Sequence, residues 1–257
     1  MKLHDNNTVT ILPIRLPTVQ VGQRLAPTLI NALRREHVTP MRGDILAVAS
    51  KVVSTCEGRI VDLTKIKITP ATRRLARRYN IDERLATIVI RESDHIYGGV
   101  KGFLLTLNAG ILTANAGIDV KNSPPNTAIL WPKNPDLSAR KLRKTLERHY
   151  HTRLGVEVVD SRVTPLRLGT TGLAIGLSGF WPVRDERDNL DLYGRPIKVT
   201  QANVADDVAA SAHLLMGEAA DRIGAVMVRK LKIDSREGSS SLANMEPNRC
   251  LIGNSLE

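Results

Sequence analysis

Short apolar runs, among them DILAVAS (44–50), AILW (128–131) and VEVVD (156–160), alternate along the chain with stretches whose apolar residues recur at helical spacing. That order restricts the fold to a mixed α/β (α+β) class, and the absence of a clean βα repeat predicts a sheet that is not purely parallel. The pattern predicts a strand near 9–14, a helix over 26–37 with Pro27 in its first turn, the strand 44–50, and helices near 72–79 and 82–92. A strand-rich middle over 103–131 leads to a basic helix, then to VEVVD, a glycine-punctuated segment (169–179) and a polar hairpin connection (185–196). A helix over 203–217 and a strand over 225–228 follow. From Asp234 the composition turns to Ser, Gly and Asn, which predicts a mobile tail unless a ligand or partner orders it.

Two of the apolar runs end on carboxylates, TANAGID (113–119) on Asp119 and VEVVD on Asp160. An aspartate at the C-terminal end of a buried strand lies at the mouth of a sheet, where ligand clefts form. A third carboxylate closes the 203–217 helix. Val204, Val208, Ala212 and Leu215 form its apolar stripe, Asn203 is its N-cap, Asp206 and Asp207 suit its first turn, and Gly217 is its stop. Glu218 then stands at the negative end of the helix dipole, a position that costs about 0.3–1 kcal/mol unless a cation compensates. Convergence of the three carboxylates predicts a site for a hard divalent metal; separately, each reads as a solvated turn or a local cap.

The net charge of +11 points to anionic partners, whereas an aromatic content of 3% lacks the stacking platforms of single-strand nucleic-acid binders and argues against that class. The densest basic run, 139–153, has Leu142 and Leu146 four residues apart and reads as the solvated face of an amphipathic helix. Cys56 and Cys250 lack CxxC spacing, no apolar stretch reaches membrane-spanning length, and no signal-peptide core opens the chain, so the expected location is the cytoplasm. There is no GxxxxGK[ST], and Gly169, Gly172, Gly176 and Gly179 do not reproduce GxGxxG; close packing explains them as well as phosphate binding does. His149 and His151 are the one close histidine pair, with spacing that sets them on different faces of a helix, which argues against zinc. Ser50 and Lys51 end an apolar strand, where a hydroxyl and an ammonium can meet phosphate oxygens; a strand ending in surface polar residues fits equally.

Taken in order, SKVVSTCEGRIVDL (50–63), TANAGID with Asn122, DLYGRP (191–196) and VADDVAASAHLLMGE (204–218) resemble the coenzyme F420:L-glutamate ligase family, from LPTV (16–19) to EGSS (237–240). The resemblance implies a GTP-dependent, divalent-metal-dependent amide ligase. Its fold would be a two-lobed F420 ligase-like unit over 1–233, with 234–257 as a tail, and it would act as an intertwined homodimer with its groove at the dimer interface. GTP would be a substrate, magnesium or manganese the metal, and a monovalent cation a further option; a small-molecule acid and L-glutamate would be joined.

Carried over by motif, the metal ligands implied are Asp119, Asp160, Ser161 and Glu218, with Ser161 where the family has threonine. Nucleotide contacts fall on Leu16, Pro17, Thr18 and Val19, on Ser50, Lys51 and Asn122, and on Met216, Gly217, Glu218, Ala219, Ala220, Asp221, Arg222 and Ile223. Lys51, Asp119 and Asp160 are the implied catalytic residues. The chain departs from the family at Thr55, where a lysine is usual, and at Val163 and Thr164, which replace a glycine-arginine pair. These departures leave open glutamylation of a folate or other pterin-type acid; a nucleotide-binding relative without catalysis is the remaining alternative.

Overall fold

A computed structural model of the protein describes residues 8–218 and 221–256. The first half of the chain forms β1 (Thr10–Arg15), α1 (Leu25–Arg35), β2 (Ile45–Ala49), α2 (Ser50–Cys56), β3 (Ile60–Asp62), α3 (Pro70–Tyr79), α4 (Glu83–Glu92), β4 (His95–Val100), β5 (Phe103–Asn108) and β6 (Ile111–Ala114). The second half forms β7 (Thr127–Ile129), α5 (Pro135–Tyr150), β8 (Gly155–Val163), β9 (Thr170–Ser178), β10 (Val183–Asp185), β11 (Gln201–Asn203), α6 (Val204–Met216) and β12 (Ile223–Arg229).

The main sheet has the order β1-β12-β2-β8-β9, in which β2 and β8 are parallel and the other pairings antiparallel, as the mixed α/β order predicts. Strand alternation divides its buried residues between two faces. Leu46, Val48, Val156, Val158 and Met227 pack with Leu29 and Leu33 of α1 and Leu142 and Leu146 of α5. Ile45, Ala47, Val226 and Val228 pack with Val204, Val208 and Ala212 of α6. Arg140, Lys141, Lys144 and Arg148 of α5 are exposed, away from its buried stripe of Ala139, Leu142 and Leu146, as the solvated-face reading expects, whereas Arg143 is largely buried and bonded to Ser178.

Two glycines of β9 owe their identity to this sandwich. A Cβ on Gly172 would run into the backbone of Ala209 in α6, and one on Gly176 into the backbone of Pro135 in α5. Their role is close helix–sheet packing, and no phosphate is needed to account for them.

A second region has its own core, with Leu63, Ile88, Val89, Leu104, Ile118, Ala128 and Leu130 buried together. It contains the antiparallel pair β3–β7, the meander β4-β5-β6, and helices α3 and α4. Thr69 opens α3 through a capping box with Thr72, and Asp82 caps α4 by accepting from the N–H groups of Arg84 and Leu85. The polar connection after β10 returns as β11 in a short antiparallel pair, the expected hairpin.

Two expectations are corrected. Ser50 and Lys51 open α2 and do not end the strand, which stops at Ala49. The Ser/Gly/Asn-rich segment after Asp234 is tied down: Glu237 pairs with Arg143 at 2.7 Å and accepts from the buried Ser178 hydroxyl at 2.7 Å, while Asp136 accepts from the Ser240 N–H at 2.9 Å. Composition missed this because polar side chains that would favour solvent in isolation here find fixed partners on α5 and β9.

Candidate functional site

Asp160 lies within β8, three residues before the strand ends, and not at its terminus as the apolar run suggests. A register shift against β9 at Val158/Val159 precedes it. Val159 packs with the α6 face, and Asp160 meets donors from the opposite side. Ser50 donates to Oδ1 at 3.0 Å, and the Trp131 indole N–H donates to Oδ2. Burial raises the Asp160 pKa, opposed by the hydrogen bonds from Trp131, the Ser161 N–H and Ser50 and by the charge of Lys51; the net direction is upward.

Asp119 also departs from the strand-end expectation. It follows a tight turn over Asn115–Gly117 and is joined to Ile129 by a two-way backbone bridge, with N–H to O distances of 3.0 and 2.8 Å. The turn explains the TANAG sequence. Asn115 and Ala116 both have left-handed φ, 50° and 56°, a conformation that costs a non-glycine residue about 1–2 kcal/mol. Their neighbours hold them there: the Asn115 amide oxygen accepts from the Leu104 N–H, and the Ala116 N–H donates to Thr106 Oγ1, each at 2.8 Å. Gly117 admits no Cβ because the Trp131 indole lies against it. One turn thus sets both Asp119 and the indole that engages Asp160. The Asp119 carboxylate accepts from the Lys121 N–H on Oδ1 at 2.6 Å and pairs with Lys51 Nζ through Oδ2 at 2.5 Å.

Glu218 stands just past the Gly217 cap of α6. Its Oε1 accepts from Thr170 at 2.7 Å and is 2.9 Å from His213 Nε2, in the last turn of the same helix. Burial raises its pKa, but the hydrogen bonds from Thr170 and His213, the His213 charge and the Ser161 hydroxyl outweigh that effect, and the net shift is downward. Hydrogen-bonding partners for this carboxylate at the helix C-terminus are therefore supplied within the chain.

Asp160, Lys51, Ser50, His213 and Glu218 border one cavity of about 790 Å³. Leu16, Pro17, Thr18 and Val19 line it together with Ser50, Lys51 and Asn122; Asp160, Ser161, Met216, Gly217, Glu218, Arg222 and Ile223 complete the sequence-derived set found there. The Leu16 N–H donates to the Arg222 carbonyl at 3.0 Å, which brings the 16–19 and 216–223 segments side by side. Asp119 and Asp221 do not line the cavity; Asp119 reaches it through Lys51. Ala219 and Ala220 fall outside the described residues. Of the departures noted in sequence, Thr55 is in the cavity wall, whereas Val163 and Thr164 are not.

Among the described residues no three His, Cys, Asp or Glu side chains stand close enough to hold a metal by themselves. The donors of Asp119, Asp160, Ser161 and Glu218 are all oxygens, the set a hard cation takes. Magnesium is commonly bound by one or two carboxylates plus substrate phosphates and not by an all-protein cage. The expected convergence of Asp119, Asp160 and Glu218 is therefore not met among the described residues, and what fits a divalent ion is the oxygen chemistry of the donors, with a phosphate as the missing part of its shell.

Sequence reading did not find Trp131, Thr170 or His213. The signal for His213 was its place in the helix turn just before the Gly217 stop; Thr170 and Trp131 had none, since each meets its carboxylate from a segment distant in sequence.

The profile of the F420-0:Gamma-glutamyl ligase family matches residues 13–230. The chain is similar to the coenzyme F420:L-glutamate ligase of Methanopyrus kandleri, with 37% identity over 88% of each chain. It is also similar to the enzymes of that name from Methanothermobacter thermautotrophicus, 35% identical over 83% of this chain and 85% of the relative, and Archaeoglobus fulgidus, 36% identical over 90% and 91%.

Proposed function

Because the chain belongs to the F420-0:gamma-glutamyl ligase family, we propose that it joins L-glutamate to the carboxylate of coenzyme F420-0 at the expense of GTP. The observation that carries this reading is the juxtaposition of Lys51 with Asp119 and Asp160 beside a cavity of about 790 Å³, a size suited to a small-molecule site. A carboxylate is a poor electrophile. In the proposed reaction its oxygen attacks the terminal phosphorus of GTP and GDP leaves; the amine of glutamate then attacks the acyl carbon of the acyl phosphate, phosphate departs, and the ammonium proton is lost to form the amide.

Lys51 supplies positive charge to the phosphate oxygens during transfer, and the Ser50 hydroxyl and the Trp131 N–H hold Asp160 in place. The apolar lining from Leu16, Val19, Val52 and Ile60 suits a nucleobase. Magnesium or manganese, held among Asp119, Asp160, Ser161 and Glu218 with nucleotide phosphate completing a shell that the three carboxylates do not form by themselves, would neutralise the charge of the phosphates when bound. A monovalent cation is a further proposed component.

Assembly is proposed as an intertwined homodimer of two-lobed chains. Support comes from apolar side chains left in solvent on two connections: Leu166 and Leu168 after β8, and Leu190, Leu192 and Val199 between β10 and β11. The free thiols of Cys56 and Cys250 suit the proposed cytoplasmic setting.

The second reading, glutamylation of a folate or other pterin acid, is kept open by the departure at Thr55 in the cavity wall and by that at Val163 and Thr164, at the end of β8 and outside the wall. A relative without catalysis is disfavoured, because the chain retains all three carboxylates. The test is phosphate release from GTP with magnesium, L-glutamate and either acid in parallel. Release that needs both glutamate and the F420-0 acid supports the proposal; release with the pterin alone moves the substrate and keeps the ligase.

A further inference from the structure

Lys51 and Asp119, which the proposed reaction assigns to different partners, are bonded to each other. Lys51 Nζ lies 2.5 Å from Asp119 Oδ2, and its charge also acts on Asp160. Asp119 Oδ1 accepts the Lys121 N–H and the ammonium holds Oδ2, so a metal that binds through Oδ2 must displace the ammonium. The two residues come from different parts of the fold. Lys51 rises from the first turn of α2, against the main sheet, while Asp119 is bridged to Ile129 of β7 in the second region.

From this geometry we infer that Lys51 is a resident countercation for Asp119, exchanged for divalent metal only when a nucleotide phosphate arrives to receive its ammonium. The inference rests on the GTP and metal reading above. Its physical basis is charge balance. Metal alone must displace the ammonium into the cavity without a new partner, and nucleotide alone would draw Lys51 away and leave Asp119 and Asp160 facing phosphate oxygens uncompensated. When both bind, metal takes the carboxylates and Lys51 takes the phosphate, so each site is completed by the other's ligand. Metal and nucleotide therefore bind with positive coupling, which by linkage is the same in either order. The device also keeps the nucleotide site from filling with metal before substrate.

The test is calorimetry with manganese alone, with GDP alone, and with manganese in saturating GDP, on wild type, Lys51→Met, Lys51→Gln and Asp119→Asn, with thermal melts to confirm folding. Wild type should bind manganese at least about fivefold tighter with GDP than without, the lower end of ordinary site–site couplings. Lys51→Met and Lys51→Gln should bind manganese alone about fivefold or more tighter than wild type, bind GDP more weakly, and lose most of the coupling. A lysine variant in which affinity for manganese alone is unchanged or weaker overturns the exchange while leaving the metal assignment standing. If Asp119→Asn binds manganese and GDP as wild type does, or wild type with GDP binds no manganese, the metal reading itself falls and the exchange falls with it.

Discussion

Replacing Glu157 by leucine should stabilise the protein, and by more at pH 8 than at pH 5. Glu157 is fully buried in β8, and neither carboxyl oxygen has a hydrogen-bond partner. Its cross-strand neighbours, Ala47 and Leu177, belong to the apolar core under α6, and the charge that faces it is Asp206 of that helix, itself paired with Arg162 at 3.3 Å. Burial pushes the Glu157 pKa well above its ordinary value, and Asp206 pushes it further the same way. A pKa raised by folding stabilises the fold below the ordinary value of 4.5, and that contribution is lost as pH rises toward the folded pKa.

An unsatisfied buried polar group costs about 1–3 kcal/mol even when uncharged, so Glu157→Leu should gain about that much at pH 5. At roughly 2–4 °C per kcal/mol for a chain of this size, the melting temperature should rise by roughly 2–12 °C. Between pH 5 and 8 the advantage should widen by about 1.4 kcal/mol for each pH unit over which Glu157 stays protonated in the fold while it is ionised in the unfolded chain. Glu157→Gln separates the two effects, being near neutral at pH 5 and stabilising at pH 8. Thermal melts of the three proteins at both pH values decide it. A Glu157→Leu protein less stable than wild type, or an advantage that does not change with pH, would refute the account of Glu157 as an unpartnered, neutral carboxyl.

Gly172→Ala forces a methyl group into the backbone of Ala209 and should lower stability by about 1–3 kcal/mol, read as an earlier denaturant midpoint with unchanged slope. His213→Ala should weaken metal-dependent GDP binding about 10- to 100-fold through loss of the Glu218 contact, with Glu218→Gln weakening it as well; equal calorimetric affinities in all three proteins would remove Glu218 from the site. Light scattering should give a dimer of the 28.2 kDa chain, and a monomer under assay conditions would contradict the intertwined assembly.

Much of this was legible in the sequence because it depends on local rules. Asn203, Asp206 and Gly217 mark the ends of α6 by capping chemistry, and the Asn203 side chain does accept from the Asp206 N–H at 3.1 Å. The unbroken apolar run Ile45, Leu46, Ala47 and Val48 announced a strand, which the fold buries on both faces. What stayed hidden depends on contacts between distant segments. The turn that strains Asn115 and Ala116 is stable only because Leu104, Thr106 and Trp131 come to it from elsewhere. The ordering of Glu237 and Ser240 needs Arg143, Ser178 and Asp136, about 60–100 residues away in sequence. Strand β8 likewise continued past Asp160 because β9 offered partners as far as Val163, which an apolar run ending at the aspartate concealed.

The claim that this cavity activates a carboxylate through GTP is tested most directly by following the acceptor's own oxygen. With F420-0 labelled in its carboxylate with oxygen-18, and GTP, magnesium and L-glutamate present, one labelled oxygen should appear in each phosphate released, while the product gains a glutamyl unit by mass. Phosphate released without label, or a glutamyl product formed without phosphate, would contradict the acyl-phosphate route and with it the role proposed for Lys51, Asp119 and Asp160.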